Sequence, residues 1–326
     1  MTKIKIILLT TGLILTGCES KMDSYSSREA ELNALLDGDD AFGLDGFDDE
    51  GATSDYVEGL ETDYGAKTLE PYHPDSGYVF KFGRRVSSIT KTITYIHEED
   101  YSIADIIRTV EGIFLSTIID TVLNDTFTFE KEFTFDFQRK VRFVNEPRIN
   151  NQKRWKIDAL TLGIGKTGTK MDIRKLEYFT NDEIGNWNSV FVLDSELNSD
   201  EFISRDSLPT FESWMDVKVE LTVSNEGPEF EYESGERVSF HYGRSRFHKA
   251  RKKMHDNGIG EDATANDNIF TKVWTIHGPG WGIDKRVYRG FFSVIDYGSF
   301  FDSEEAFHSA VWTLPYIVNR SSVIIG

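Results

Sequence analysis

Residues 126–144 read TFTFEKEFTFDFQRKVRFV, and this stretch decides the fold. Phe127, Phe129, Phe133, Phe135, Phe137, Val141 and Phe143 stand at even offsets from one another, with Thr, Glu, Lys, Asp and Arg between them. Successive side chains of a strand point to opposite faces. The spacing therefore predicts one long half-buried strand, with a bulge or break near Lys131. Upstream, residues 78–95 (YVFKFGRRVSSITKTITY) interleave β-branched and aromatic residues with polar ones. In residues 102–119 (SIADIIRTVEGIFLSTII), Ile103, Ile106, Ile107, Val110 and Phe114 also suit a helical face. The β-branched content and Gly112 favour a strand. Downstream, residues 154–162 and 171–179 are of strand type, separated by turns at Asn150-Asn151 and at 163–168, and residues 187–193 are expected to close the sheet. Residues 77–210 thus read as an antiparallel β domain with one exposed face.

A turn cluster around Asn198 to Pro209 sets the expected border near residue 210. Beyond it, Val217, Val219, Leu221 and Val223 alternate with Lys218, Glu220 and Thr222, and further strands are expected at 237–242, 270–276, 287–295 and 311–318. The fold class is mainly β, with residues 211–326 forming a sandwich. The segment Met254 to Thr271 carries Asp256-Asn257-Gly258, Gly260-Glu261-Asp262, Ala265-Asn266-Asp267-Asn268, then Phe270-Thr271. It resembles a phrase of immunoglobulin-like modules in exported bacterial proteins: Asp-Asp-Gly, Gly-Asp, Ala-Gly-Asp-Gly, an aromatic residue and Thr. Asn257, Asn266 and Asn268 stand where that phrase has Asp or Gly, and Glu261 splits the Gly-Asp pair. The resemblance implies an immunoglobulin-like sandwich. In the central region, the long phenylalanine-rich strand, a turn and Arg154-Trp155-Lys156-Ile157 are similar in order to the curved sheets of the nuclear-transport-factor-like and cystatin-like folds. That resemblance implies a helix lying across the sheet, which residues 27–37 can supply. A sandwich or partial barrel is the alternative.

The start of the chain carries its own signal. Lys3 and Lys5 precede an apolar stretch from Ile6 to Leu15, half the roughly twenty residues needed to span a bilayer. It ends in Leu15-Thr16-Gly17-Cys18, which resembles the bacterial lipobox. The resemblance implies a signal peptide over 1–17, a covalent lipid on Cys18, and a place in the cell envelope. Glu19, not Asp, follows the cysteine, so the outer membrane is expected over the inner. Cys18 is the one cysteine in the chain, which rules out an internal disulfide.

The chain has 55 acidic and 36 basic residues, a net charge of −19. Residues 19–76 hold 17 of the acids against Lys21, Arg28 and Lys67, so residues 77–326 carry about −7. Segment 18–76 is read as an acidic, mostly unstructured tether with one helix, started by Ser26 or Ser27 and stopped by Gly38. The charge argues against nucleic acid as a partner, since such binding rests on Lys and Arg neutralising phosphates. Residues 39–49 tempt a calcium-loop reading, but the ligand spacing is wrong and a solvated spacer is preferred.

Other constellations meet plainer readings. Residues 163–168 (GIGKTG) lack the leading glycine of a phosphate loop, since Leu160 stands there, and read as a hairpin turn. Asp256, Asp262 and Asp267 offer oxygen ligands suited to calcium, with a structural turn preferred. Arg244, Arg246 and Lys252 belong to the basic cluster 244–253, which can grip an anionic polysaccharide or serve as a solvated surface. The C-terminal aromatics read as core, except Trp281 in the glycine-rich loop Gly278-Pro279-Gly280-Trp281-Gly282, a candidate ligand contact. No histidine pair has zinc spacing, and no Gly-x-Ser-x-Gly elbow appears. Paired carboxylates of a glycosidase meet in space and leave no sequence trace. The expectation is a non-catalytic envelope lipoprotein that binds or spaces an envelope protein or glycan. The alternative is a carbohydrate-binding or polysaccharide-processing lipoprotein.

Overall fold

The computed structural model describes residues 19–39, 56–59, 78–120, 125–147, 153–182, 184–198, 200–226, 235–245, 248–301 and 304–321. The elements run α1 (Glu19–Gly38), β1 (Tyr56–Gly59), β2 (Tyr78–His97), β3 (Tyr101–Asp120), β4 (Thr126–Pro147), β5 (Lys153–Leu160), β6 (Gly163–Lys166), β7 (Met171–Asn181) and β8 (Trp187–Asp194). After the short α2 (Ser195–Asn198) come β9 (Ile203–Ser204), β10 (Thr210–Glu212), β11 (Asp216–Asn225), β12 (Glu236–Ser245), β13 (His248–Lys253) and β14 (Ile269–Thr275). The chain closes with β15 (Lys285–Asp296), the one-turn α3 (Gly298–Phe301), β16 (Ser309–Thr313) and β17 (Tyr316–Asn319). The protein is mainly β, and its strand pairs are antiparallel except β10 with β17.

Strands β2, β3 and β4 are 20, 20 and 22 residues long. At about 3.3 Å per residue each runs some 65 Å or more. In β4 the odd positions Phe133, Phe135, Phe137, Val141 and Phe143 are buried, and in β3 the even positions Ala104, Ile106, Val110 and Phe114. The opposite face of this sheet carries the exposed Ile107, while Phe127, on the inward row opposite Ile118, is exposed at the start of β4. The break expected near Lys131 is absent: β3 pairs with β4 from Thr126 to Val144 without a register shift. Lys131 instead takes an inward position. It is buried, and its Nζ donates to the Gly298 carbonyl at 3.2 Å. A lysine stem packs as hydrocarbon while its tip finds an acceptor, so the alternation passes through unbroken. The irregularity falls on β2, between Val86 and Ser88.

The border expected at residue 210 is crossed by both sheets. The larger one runs β1-β2-β3-β4-β6-β16-β15-β12-β13, with β5 also on β4. The smaller runs β14-β11-β7-β8. Residues 163–168 are therefore not a hairpin turn. Residues 163–166 are β6, bonded on one side to β4 (Phe137 opposite Gly165) and on the other to β16 (Val311 opposite Gly165). The turn follows at 167–170, where Gly168 has φ +64°. It sends the chain into the other layer, so β7 and β8 do not close the first sheet: β7 pairs with β11, and β8 pairs with β7. The inward rows Met171, Ile173, Leu176 and Tyr178 of β7 and Val217, Val219, Leu221 and Val223 of β11 are all buried. They face β12 and β15: Tyr178 lies 6.3 Å from Phe292, and Trp274 of β14 lies 4.8 Å from Phe240. The packed pair of sheets thus begins near residue 163.

Buried polar side chains tie the long sheet to the last third of the chain. Arg139 is 1% exposed and donates from Nη2 to the Thr313 carbonyl at 2.7 Å and to the Thr313 hydroxyl. Arg84 donates to Ser309 Oγ at 3.1 Å, and Ser116 Oγ donates to the Phe300 carbonyl at 3.2 Å. Hydrogen bonds of charged donors in such surroundings are the stronger kind.

At the other end of the long sheet lies α1. It stops at Gly38, as the sequence indicates, but starts at Glu19, ahead of Ser26 and Ser27. Leu32 and Leu36 are fully buried, each worth roughly 2 kcal/mol of apolar burial. The Tyr95 hydroxyl donates to Asn33 Oδ1 at 2.8 Å, and Arg28 donates to the Glu98 carbonyl at 3.0 Å while lying over the Trp155 ring. Tyr25 stacks on His97 at 5.2 Å. Just past the helix, Asp39 accepts from Arg205 at 2.9 Å. This part of the segment read as a tether is packed on the body, and β1 pairs along β2. Residues 1–18, 40–55 and 60–77, with the signal segment, Cys18 and most of the acidic spacer, lie outside the described residues.

Candidate functional site

Strands β13 and β14 are edges of different sheets. Just past β13 the chain meets β14 through a bridge between His255 and Thr271, whose two amide bonds measure 3.1 and 2.8 Å. Past that bridge the edges diverge and open a groove of about 520 Å³, lined among others by Tyr242, Lys252, Trp274 and His277. Alternation along β14 places Trp274 at the floor, 4% exposed, with Tyr242 6.3 Å from it. Lys252 sits on the groove wall, half-buried. Of the other basic candidates, Arg246 lies outside the described residues, and Arg244 is placed only as a position near the end of β12.

One end of the groove is the acidic loop. Carboxylate oxygens of Asp256, Asp262 and Asp267 all lie within 4.8 Å of one another. Asp256 is 4% exposed and accepts two backbone amides, from Asp267 at 3.1 Å on Oδ1 and from Asn268 at 2.8 Å on Oδ2. Asp262 accepts the Gly258 amide at 2.6 Å, and Asp267 that of Ile269 at 3.0 Å. Asn266 and Asn268 have φ +56° and +63°, a region Asn tolerates far better than most residues. These carboxylates hold a turn closed. The loop has its own amides as ligands, so the same melting temperature is expected with and without a calcium chelator. Asp256→Ala strips the acceptor from two amides and is expected to cost about 3 kcal/mol, read by urea denaturation. A chelator-induced fall in melting temperature would show instead that calcium completes the loop.

The other end of the groove is aromatic. His277 lines it and meets the Trp214 ring edge-on at 5.9 Å. Trp214 is 55% exposed, and its φ of 72° is costly for a bulky residue, about 1–3 kcal/mol. It is held there by its amide, which donates to the Ile276 carbonyl at 2.7 Å. Trp281, in the loop that follows His277, is fully exposed, whereas Trp274, Tyr288, Phe291, Phe292, Tyr297, Phe300, Trp312 and Tyr316 are core. Sequence reasoning singles out Trp281 by its glycines but misses Trp214, whose neighbours Ser213 and Met215 carry no turn signal. Among the described residues no helix is long and apolar enough to cross a membrane. No protein-family model, curated protein or solved structure matches the chain.

Proposed function

We propose that this chain is a non-catalytic lipoprotein of the bacterial cell envelope, anchored through Cys18, whose groove between β13 and β14 binds an extended glycan. The observation that carries the binding reading is the pair of exposed tryptophans, Trp214 beside the groove mouth and Trp281 in the adjoining loop. Exposed aromatic faces cost burial energy that a ligand recovers, and they suit the apolar faces of sugar rings. Lys252 on the wall extends the choice to anionic polysaccharides. The face-to-face sheets and the Asp-Asn-Gly loop support assigning the C-terminal half to an immunoglobulin-like module. The backbone duty of Asp256, Asp262 and Asp267 favours binding over hydrolysis. Glu19 after the cysteine supports the outer membrane as the destination.

A polysaccharide array followed by titration calorimetry tests the groove. Removing both rings in Trp214→Ala with Trp281→Ala is expected to weaken glycan binding about tenfold or more. Unchanged affinity in that variant, or no glycan bound at all, defeats the glycan reading; an envelope protein recovered by pull-down would then be the partner. For the anchor, Cys18→Ser is expected to release the protein from the membrane fraction. Continued acylation and membrane fractionation would overturn it.

A further inference from the structure

If Cys18 carries the lipid, as proposed above, the position of α1 fixes how the body meets the bilayer. The helix begins at Glu19, the next residue, and is docked on the long sheet by Leu32, Leu36, Arg28 and Asn33. At about 1.5 Å per residue, Tyr25 lies only about 9 Å along the helix axis from Glu19. That is close to the thickness of the polar layer of one leaflet, roughly 5–8 Å. A 58-residue flexible tether over 19–76 would instead allow an r.m.s. reach of about 40 Å.

The side chains at this end fit a lipid interface. Tyr25 is 41% exposed and stacks on His97. The β2–β3 hairpin beside it shows Ile96 and Tyr101, 55% and 39% exposed, on either side of its turn. Tyrosines with an apolar body and a polar tip favour the membrane–water boundary. The turn itself is Glu98-Glu99-Asp100, all exposed, which suits a zwitterionic surface better than an anionic one. The groove is displaced from that tip both across and along the sheet: β13 stands five strands beyond β4, about 24 Å at 4.8 Å per strand, and β6 joins β4 only at Asp136–Gln138, about 20 Å back from Val144, which pairs with Tyr101 at the tip.

We infer that the β2–β3 hairpin tip and the start of α1 rest on the lipid surface, so that α1 is a rigid mount and the groove edge points away from the bilayer. The test uses the acylated full chain in phosphatidylcholine vesicles. Acylation blocks Cys18, so an added cysteine is the one free thiol for a fluorescent label. Labels go on Ile96→Cys and, at the groove loop, on Ile259→Cys. With brominated lipids, loss of fluorescence is expected at position 96 and none at 259. A flexible Gly-Ser insert of about 20 residues between Cys18 and Glu19, adding an r.m.s. reach of about 25 Å, is expected to abolish the loss at 96 without touching the packed body. Flotation with no quenching at 96, or with equal quenching at both positions, overturns the mount while leaving the anchor intact. Failure to float overturns the anchor itself, and the mount with it.

Discussion

Gly165→Val is expected to leave little folded protein, with the melting temperature of any soluble fraction lowered by about 10 °C or more for a loss of at least 3 kcal/mol. A Cβ built at Gly165 lies 2.5 Å from two atoms of the Phe135 ring and 2.6 Å from the Phe137 ring. Neither ring has room to retreat, since they are 0% and 2% exposed. The strand cannot shift either, because β6 is hydrogen-bonded to β4 on one side and β16 on the other. Overpacking a well-filled site usually costs about 1–3 kcal/mol, and a branched side chain at a position without space for one carbon lies at or above that range. Gly38 is the control: nothing lies within 4 Å of a Cβ there, so Gly38→Ala is expected to be neutral. Circular dichroism melts of both variants decide the matter. A normal melt for Gly165→Val would mean that β6 does not lie between β4 and β16.

Acid is expected to weaken the protein through His241. Its ring is buried, stacks on Phe291 at 4.1 Å, and has Nε2 3.1 Å from Ser293 Oγ. Burial first, then the Arg84 and Arg237 guanidiniums, push its pKa down from 6.5 to about 3. The unfolded chain therefore takes up a proton near pH 6.5 that the native state refuses until about pH 3. Between those values the unfolded state holds the extra proton, so each pH unit of acidification costs about 1.4 kcal/mol. The contribution is complete above pH 6.5 and is lost as the pH falls toward 3, on the order of 4 kcal/mol in all. His241→Gln removes the titration while keeping a polar tip for Ser293. Its stability is expected to fall less steeply than that of the native chain between pH 6.5 and 4 in parallel denaturant titrations. Identical slopes would show that His241 is solvated.

Much of the strand content was legible in the sequence because alternation reports which face of a segment is buried. Phe127 to Phe143 marked β4 in this way, the β-branched residues of 102–119 marked β3, and Gly38 marked the end of α1. Alternation does not report which strand lies alongside. Nothing in Gly163 to Lys166 indicates pairing with residues 309–313, so the expected border at 210 followed chain proximity and was wrong in space. The same blindness put β7 and β8 in the first sheet. Lys131 looks like an interruption because its tip is charged, although its long stem packs as hydrocarbon. The early start of α1 is hidden because residues 19–24 are polar apart from Met22 and show no apolar stripe. The acidic loop was legible as a constellation, and the structure adds that its carboxylates serve backbone amides. Trp214 was not legible, because its left-handed backbone is imposed by Ile276, a residue 62 positions away.

Strand β16 lies inside the larger sheet, between β6 and β15, yet it is made roughly 140 residues after β6. Until residues 309–313 emerge, β6 has no neighbour on one side, and Arg139 and Arg84 have no Thr313 or Ser309 to bond. The chain cannot finish folding in the order of its synthesis. Such long-range closure makes folding slow. If the proposed export holds, slowness has a use: a polypeptide unable to lock before residues 309–313 arrive stays threadable until then.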